Sequence, residues 1–320
     1  MSIEINDSQP EPPALPERPG RSRNRLIQLI VAAGVVIGAI VATVIIVSGK
    51  HDAQASGRTV VRIGTTDQSE PYWPTLIDLA AKDGIDIQLV NFSDYTQANP
   101  ALTQKQLDLN VFQHLLYLAN YNVEQHDTLT PIGSTVVVPL SLYSKKHTAL
   151  EQIPAGGKVA IPNDPTNQAR ALLVLQQAGL LTLKGGGSVL TTPADIDPAK
   201  SRVTVTPVDA AQTVAALPSV DGAIVNNNFA LDAKLDPTSA LYADDPAKPA
   251  AEPYINVFVA RAQDKDSPTY RKIVELYHRA TVTDAVLAAS KHTSVIVDRP
   301  RTELAGILQR LQDTVVAAQK

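Results

Sequence analysis

The segment Ile161–Gln176, I-P-N-D-P-T-N-Q-A-R-A-L-L-V-L-Q, brings together groups able to hold an anion. A short apolar run stops at Pro162, a turn of Asn, Asp and Pro follows, and an amphipathic helix carrying Leu172, Leu173 and Leu175 begins. Pro165 favours the turn and Asn167 is placed to cap the helix. Polar side chains and the free N–H groups of a helix N-terminus therefore converge on one point. Arg170 falls in the first turn of that helix, near the positive end of its dipole, where a cation is mildly unfavourable. An anionic ligand bridging Arg170 and the helix start would relieve the conflict. A freely solvated surface arginine fits the same local pattern, and the stretch alone leaves both readings open.

Three further groups fall at strand ends or helix starts. In N-F-S-D-Y (Asn91–Tyr95), Tyr95 begins a helix just after a strand. In D-L-N-V-F-Q-H-L-L-Y (Asp108–Tyr117), a helix from Val111 would place Phe112, His114 and Tyr117 within two turns, with 112 and 114 projecting in different directions. In V-N-N-N-F-A (Val225–Ala230), Asn226 and Asn228 follow a buried strand, where ordinary turn chemistry is an equal account of them. A lone histidine is more often structural than a ligand, and isolated helix aromatics are mostly core. The six histidines show no H-x-x-x-H or H-E-x-x-H spacing, and no G-x-S-x-G elbow occurs. Gly185–Gly187 lacks the G-K-[ST] ending of a phosphate loop. Binding is thus a better account than catalysis, and no metal or other cofactor is implied.

The elements that must position these groups form an α/β body. Strands are expected at Thr59–Gly64, Ile85–Phe92 and Leu107–Leu109, with helices at Pro74–Lys82, Tyr95–Gln106 and about Gln113–Glu124. This succession implies a mostly parallel sheet covered on both faces, with ligands outside the carboxyl ends of its strands. The run Ser134–Tyr143 carries Pro139 and reads as an edge or crossover strand. A second α/β unit follows, with strands at Lys158–Ile161, Arg202–Thr206 and Gly222–Val225, before another β run at Tyr254–Arg261. Helices at about Pro268–Ala280, Asp284–Ser290 and Arg301–Gln319 close the chain. Two β crossings enclosing an inserted unit imply two lobes joined by a two-stranded hinge, suited to trapping a ligand by closure. The expected division is 59–140 with 255–320 for one lobe and 141–254 for the other.

Composition sets the remaining bounds. With 320 residues, 44% of them hydrophobic, the chain can bury a large core. A formal charge of −4 argues against nucleic acid as a partner. The sequence contains no cysteine, which excludes disulfides, thiolate metal sites and an acylated cysteine within it. Residues 1–25 are polar and Pro-rich and are expected to form a disordered tail. Residues 26–47 are apolar and uncharged, enough for the roughly 20 residues that cross a bilayer. Arg18, Arg21, Arg23 and Arg25 precede them, placing the tail in the cytoplasm and the body outside, beyond a linker at 48–58. Ala53-Gln54-Ala55 resembles a signal-cleavage site, but the apolar run exceeds the usual signal core of about 7–15 residues, so an uncleaved single-pass anchor in the cell membrane is preferred.

Four blocks in order, F-S-D-Y-T-Q-A-N-P-A-L, D-L-N-V-F-Q-H-L-L-Y-L, I-P-N-D-P-T-N-Q-A-R-A-L and D-G-A-I-V-N-N-N-F-A, resemble the NlpA/MetQ family, the substrate-binding proteins of bacterial methionine ABC importers. The resemblance runs from about Val60 to the end of the chain. It implies a two-lobed periplasmic-binding fold of type II character, a methionine-like ligand, and an ABC permease with its ATPase as partners. It further implies that Arg170 grips the ligand carboxylate through a bidentate contact. Asn163 and Asn226, with Asn228 and Asn256 as weaker candidates, would bond the amino-acid backbone. Tyr95, Phe112, His114 and Tyr117 would surround the side chain, since aromatic walls suit a polarizable thioether. Departures from the family are the missing acylated cysteine, Leu116 where a Pro usually precedes the tyrosine, and Tyr72 and Trp73 in the loop G-T-T-D-Q-S-E-P-Y-W. The last two are expected to border the slot. A membrane-tethered amino-acid sensor on the same fold is the alternative, although the first 25 residues contain no recognisable signalling domain.

Overall fold

The computed structural model describes residues 57–319, so the expected tail, membrane segment and most of the linker lie outside the described residues. Among the described residues no helix is long and apolar enough to cross a membrane. The body opens with β1 (Thr59–Thr65), α1 (Tyr72–Lys82), β2 (Ile85–Asn91), α2 (Ala98–Thr103), β3 (Leu109–His114), α3 (Leu115–Gln125) and β4 (Thr130–Ser134). Two short strands follow, β5 (Val136–Val137) and β6 (Ser141–Tyr143). The inserted unit continues with β7 (Gly157–Pro162), α4 (Pro165–Gln177), β8 (Val203–Val208), α5 (Thr213–Ala216), β9 (Gly222–Val225), α6 (Asn227–Asp232) and β10 (Tyr242–Ala243). Then come β11 (Asn256–Ala260), α7 (Pro268–Tyr277), α8 (Ala280–Ala289), β12 (Val295–Ile296) and α9 (Arg301–Ala318).

Two five-stranded sheets result, ordered β2-β1-β3-β11-β4 and β10-β6-β9-β7-β8, giving an α/β fold of two lobes. In the first, β1 runs parallel to β2 and β3, while β11 returns antiparallel between β3 and β4. In the second, β7 is parallel to β8 and β9, and β6 is antiparallel to β9. Both sheets are buried on both faces, and strand alternation sorts the side chains. Phe258 and Ala260 join a core with Ile63, Leu109 and Trp73, while Val257 and Val259 join another with Leu115, Leu118 and Ile307. In the second sheet Val159 and Ile161 face one core and Ala160 the other.

The chain passes between the sheets twice, and the two crossings are bonded to each other. Thr135 N–H donates to the Asn256 carbonyl (2.9 Å), and the Leu140 N–H donates to Asp244 Oδ1 (2.7 Å). The run expected as one long strand at 134–143 is broken into β4, β5 and β6, as Pro139 requires, since it can give no N–H to a ladder.

Three local expectations are corrected. Residues 109–114 are strand rather than the start of a helix, and the helix begins only at Leu115. No helix covers 95–106; α2 is confined to Ala98–Thr103. The last strand of the first sheet is Asn256–Ala260, shorter than expected at both ends.

Candidate functional site

The start of α4 is built by Asp164, not by Asn167 as expected. Asp164 is the N-cap and Pro165 occupies the first helical turn, where its missing N–H costs nothing. The Asp164 carboxylate accepts from the Asn167 N–H (3.0 Å), from Asn167 Nδ2 (3.1 Å) and from the Thr166 hydroxyl (3.1 Å). Burial raises the carboxyl's pKa in spite of these bonds. With its Nδ2 pinned to Asp164, Asn167 must present Oδ1 inward. That oxygen accepts from Asn226 Nδ2 (3.0 Å) and faces His114 Nε2 (3.4 Å). Asn167 thereby ties one sheet to the other at the cleft.

His114 ends β3 and caps α3, its Nδ1 accepting the Tyr117 N–H at 3.1 Å. A ring nitrogen that accepts carries no proton, so the proton sits on Nε2, facing Asn167. Burial, and then the nearby Arg170 guanidinium, lower its pKa to about 3, so the ring is uncharged at neutral pH. β3 also carries a bulge. Between Val257 and Val259 of β11, β3 advances from Gln113 to Asn110, one residue more than its partner. The bulge lets Gln113 and Asn110 share one side, where Gln113 Nε2 donates to Asn110 Oδ1 (3.0 Å) and to Asn99 Oδ1 (2.6 Å).

Arg170 lies in the second turn of α4, not the first, and is only 3% exposed. Its Nε donates to Asp244 Oδ2 (2.7 Å) and its Nη2 to Asp244 Oδ1 (3.0 Å) and to the Val138 carbonyl (2.8 Å). The guanidinium carbon stands 4.2 Å from the centre of the Tyr254 ring. The two-pronged grip expected for a ligand is therefore taken by Asp244, and Nη1 is the nitrogen without a partner among the described residues.

Around this cluster opens a cavity enclosing about 1020 Å³ of empty space, counted out to its mouth. Tyr95, Phe112, His114, Tyr117, Arg170, Asn226, Asn228 and Asn256 all line it. Phe112 and Tyr117 meet edge to face at 5.8 Å, with Tyr95 6.0 Å from Phe112 and 6.1 Å from Tyr117. Asn226 Oδ1 is buried without a hydrogen-bond partner among the described residues. Asn228 bridges the lobes instead, accepting from the Tyr95 hydroxyl (2.5 Å) and donating to the Thr66 carbonyl (3.3 Å). Asn256 donates to the Val136 carbonyl (3.2 Å).

Asn163 is the exception. It is exposed and does not line the cavity, because it precedes the cap and points with the turn toward solvent; Asn167 takes the place expected for it. Neither Leu116 nor Trp73 borders the cavity, since both are packed in the cores of the first sheet; Tyr72 does line it. The sequence reading also missed Asp67, Glu70, Asp244 and Tyr277. Asp244 lies 74 residues from the arginine it pairs with, so no local pattern could mark it. Asp67 and Glu70 sit in the unusual G-T-T-D-Q-S-E-P-Y-W loop, whose position after β1 was the available signal.

The buried histidine has a measurable consequence. The unfolded chain binds a proton at His114 below about pH 6.5 that the folded chain refuses until about pH 3. Stability attributable to this residue therefore falls as pH drops through that window, by roughly 2 kcal/mol between pH 6.5 and 5. Urea unfolding at both pH values should show His114→Gln losing less stability on acidification than the unaltered protein; equal losses would contradict the buried neutral ring.

The family described as NlpA lipoprotein matches residues 61–297. The D-methionine-binding lipoprotein MetQ of Yersinia pestis is 34% identical over 230 residues, covering 70% of this chain and 83% of the relative. Among solved structures, protein PG110 from Staphylococcus aureus is similar with a TM-score of 0.75 at 36% identity, covering 78% of this chain and 99% of that one. The substrate-binding protein of a methionine transporter from Streptococcus pneumoniae is similar with a TM-score of 0.70 at 36% identity, over 75% of this chain and 96% of that one.

Proposed function

The chain belongs to the NlpA lipoprotein family, and from that premise we propose that it is the extracytoplasmic substrate-binding component of an ABC importer. It captures L-methionine or a close relative between its lobes and delivers it to a permease driven by its ATPase. The observation that carries the ligand assignment is the pairing, in one cavity, of a buried guanidinium with one unengaged nitrogen and an aromatic wall. Arg170 Nη1 meets the ligand carboxylate, and the unpartnered Asn226 Oδ1 accepts from the ligand amine. Tyr95, Phe112 and Tyr117 enclose the thioether, with His114 as a neutral donor beside them. Asn228 and Asn256 act through the wall and the closure contacts, and nothing in the geometry supports a direct role for Asn163.

The lobes are taken as 59–140 with 255–320, and 141–254, closing about the crossings. Relatives of this family are named lipoproteins, whereas this sequence has no cysteine to acylate. Residues 26–47 serve as the anchor in its place, single-pass, with residues 1–25 in the cytoplasm.

Calorimetric titration of the full chain with L-methionine tests this reading. One site per chain is expected. Absence of binding to L-methionine, D-methionine and methionine sulfoxide alike would overturn the ligand assignment. Co-purification with an ABC permease tests the transport role.

A further inference from the structure

The loop between β1 and α1 places two carboxyl groups on the cavity with no cation among the described residues to meet them. Among the described residues Asp67 accepts only from neutral donors: the Thr65 hydroxyl, the Tyr72 hydroxyl (3.1 Å) and the Trp73 indole N–H (3.1 Å). The Glu70 carboxylate, half-buried on the cavity wall, has neither hydrogen bond nor ion pair among the described residues. From the other lobe Asp232 comes close enough to add to the negative potential, and it is held by the Ser69 hydroxyl. Arg170 is the only lysine or arginine among the described cavity-lining residues, and Asp244 already neutralises it. The cavity thus holds two carboxyl groups with no cation to pair with among the described lining residues, and in a desolvated site such groups are held toward the protonated form until a cation enters.

A second, independent observation points to a ligand. Ser294 lines the same cavity and is only 6% exposed, and its buried hydroxyl has no hydrogen-bond partner among the described residues. Buried hydroxyls without partners are rare, and a cavity-lining one is explained by a ligand atom.

Resting on the function proposed above, we propose that the Asp67–Glu70 side of the cavity is an ammonium subsite: it receives a primary ammonium group of the ligand, with Ser294 as a further acceptor. Two sources share this chemistry, the α-ammonium of an amino acid and an amine farther along its side chain. Binding carries a proton signature. Burial, and then the charges of Asp67 and Asp232, push the Glu70 carboxyl up to about 7. An arriving ammonium favours the ionised form, so a proton leaves Glu70 as the ligand binds near pH 7.

The test is calorimetric titration of the full chain and of its Glu70→Gln variant at pH 7, in two buffers of different ionisation enthalpy. The probes are L-methionine against its amine-free analogue 4-(methylsulfanyl)butanoate, and L-lysine against L-norleucine. The unaltered protein is expected to prefer the amine-bearing member of at least one pair, and the pair that discriminates identifies the source. Glu70→Gln should lower that preference about tenfold or more, as for a charge-assisted bond, and abolish proton release. Asp67→Asn should lower it as well, with urea unfolding confirming that the variant is folded. A preference and a proton count unchanged in Glu70→Gln would overturn the subsite and leave the methionine assignment standing. Failure of the unaltered protein to bind any of the four probes would overturn both.

Discussion

Replacing Arg170 by alanine is expected to weaken methionine binding by about 2–5 kcal/mol, the cost of truncating one side of a buried charged contact. Two effects add. The ligand carboxylate loses Nη1, and Asp244, whose side chain is 15% exposed, loses the fork that occupies both its oxygens at 2.7 and 3.0 Å. An unpaired buried carboxylate costs roughly 3–5 kcal/mol of stability, so the same variant should also unfold at lower urea. The two contributions separate in the double variant Arg170→Ala with Asp244→Ala. Removing both partners should restore part of the stability and none of the binding. Arg170→Lys keeps the charge but cannot span Asp244 and the Val138 carbonyl together, so it should bind weakly too. A binding loss under about 1 kcal/mol for Arg170→Ala, the size of an exposed pair, would remove Arg170 from the site.

The second large effect is expected at Trp73, which is 1% exposed in the core of the first lobe beside Tyr72, with ring centres 4.8 Å apart. Trp73→Ala should cost about 3–5 kcal/mol through the cavity it leaves. It also removes the indole N–H that donates to Asp67 (3.1 Å), and among the described residues Asp67 has no cation to take its place. Trp73→Phe separates the two contributions: it retains most of the packing and should cost about 1–3 kcal/mol for the lost bond to a charged acceptor. Urea unfolding of both variants provides the check. Equal losses in the two would show that the bond to Asp67, and not the packing, holds this corner.

Most strands were legible because their apolar runs are short and bounded by Gly, Pro and Asn. Gly222–Val225 matches residue for residue, β1 differs from expectation by one residue at its end and β7 by one residue at each end. The D-L-N-V-F-Q-H-L-L-Y block was misread at its centre. Alternating Leu109 and Val111 run without a break into Leu115, Leu116 and Leu118, so periodicity alone could not say where strand became helix. The junction is set by His114, whose ring caps the helix, and histidine is not among the usual capping residues. At α4 two residues could cap, and Pro165 decides for Asp164 because proline belongs inside the first turn, one place after the cap.

The sequence by itself determined the α/β class, the alternation of core faces, the family and eight of the residues that line the cavity. Each of these rests on periodicity, turn chemistry or motif order, which are properties of neighbouring residues. Tertiary structure alone decided what those residues do with one another. It gave the Arg170 fork to Asp244, turned Asn163 out to solvent, made Asn167 the link between His114 and Asn226, and set Glu70 on the cavity with no partner among the described residues. Those outcomes depend on pairings such as 170 with 244 and 114 with 167. Burial makes each such pairing obligatory, because a desolvated polar group must find a partner wherever the chain brings one.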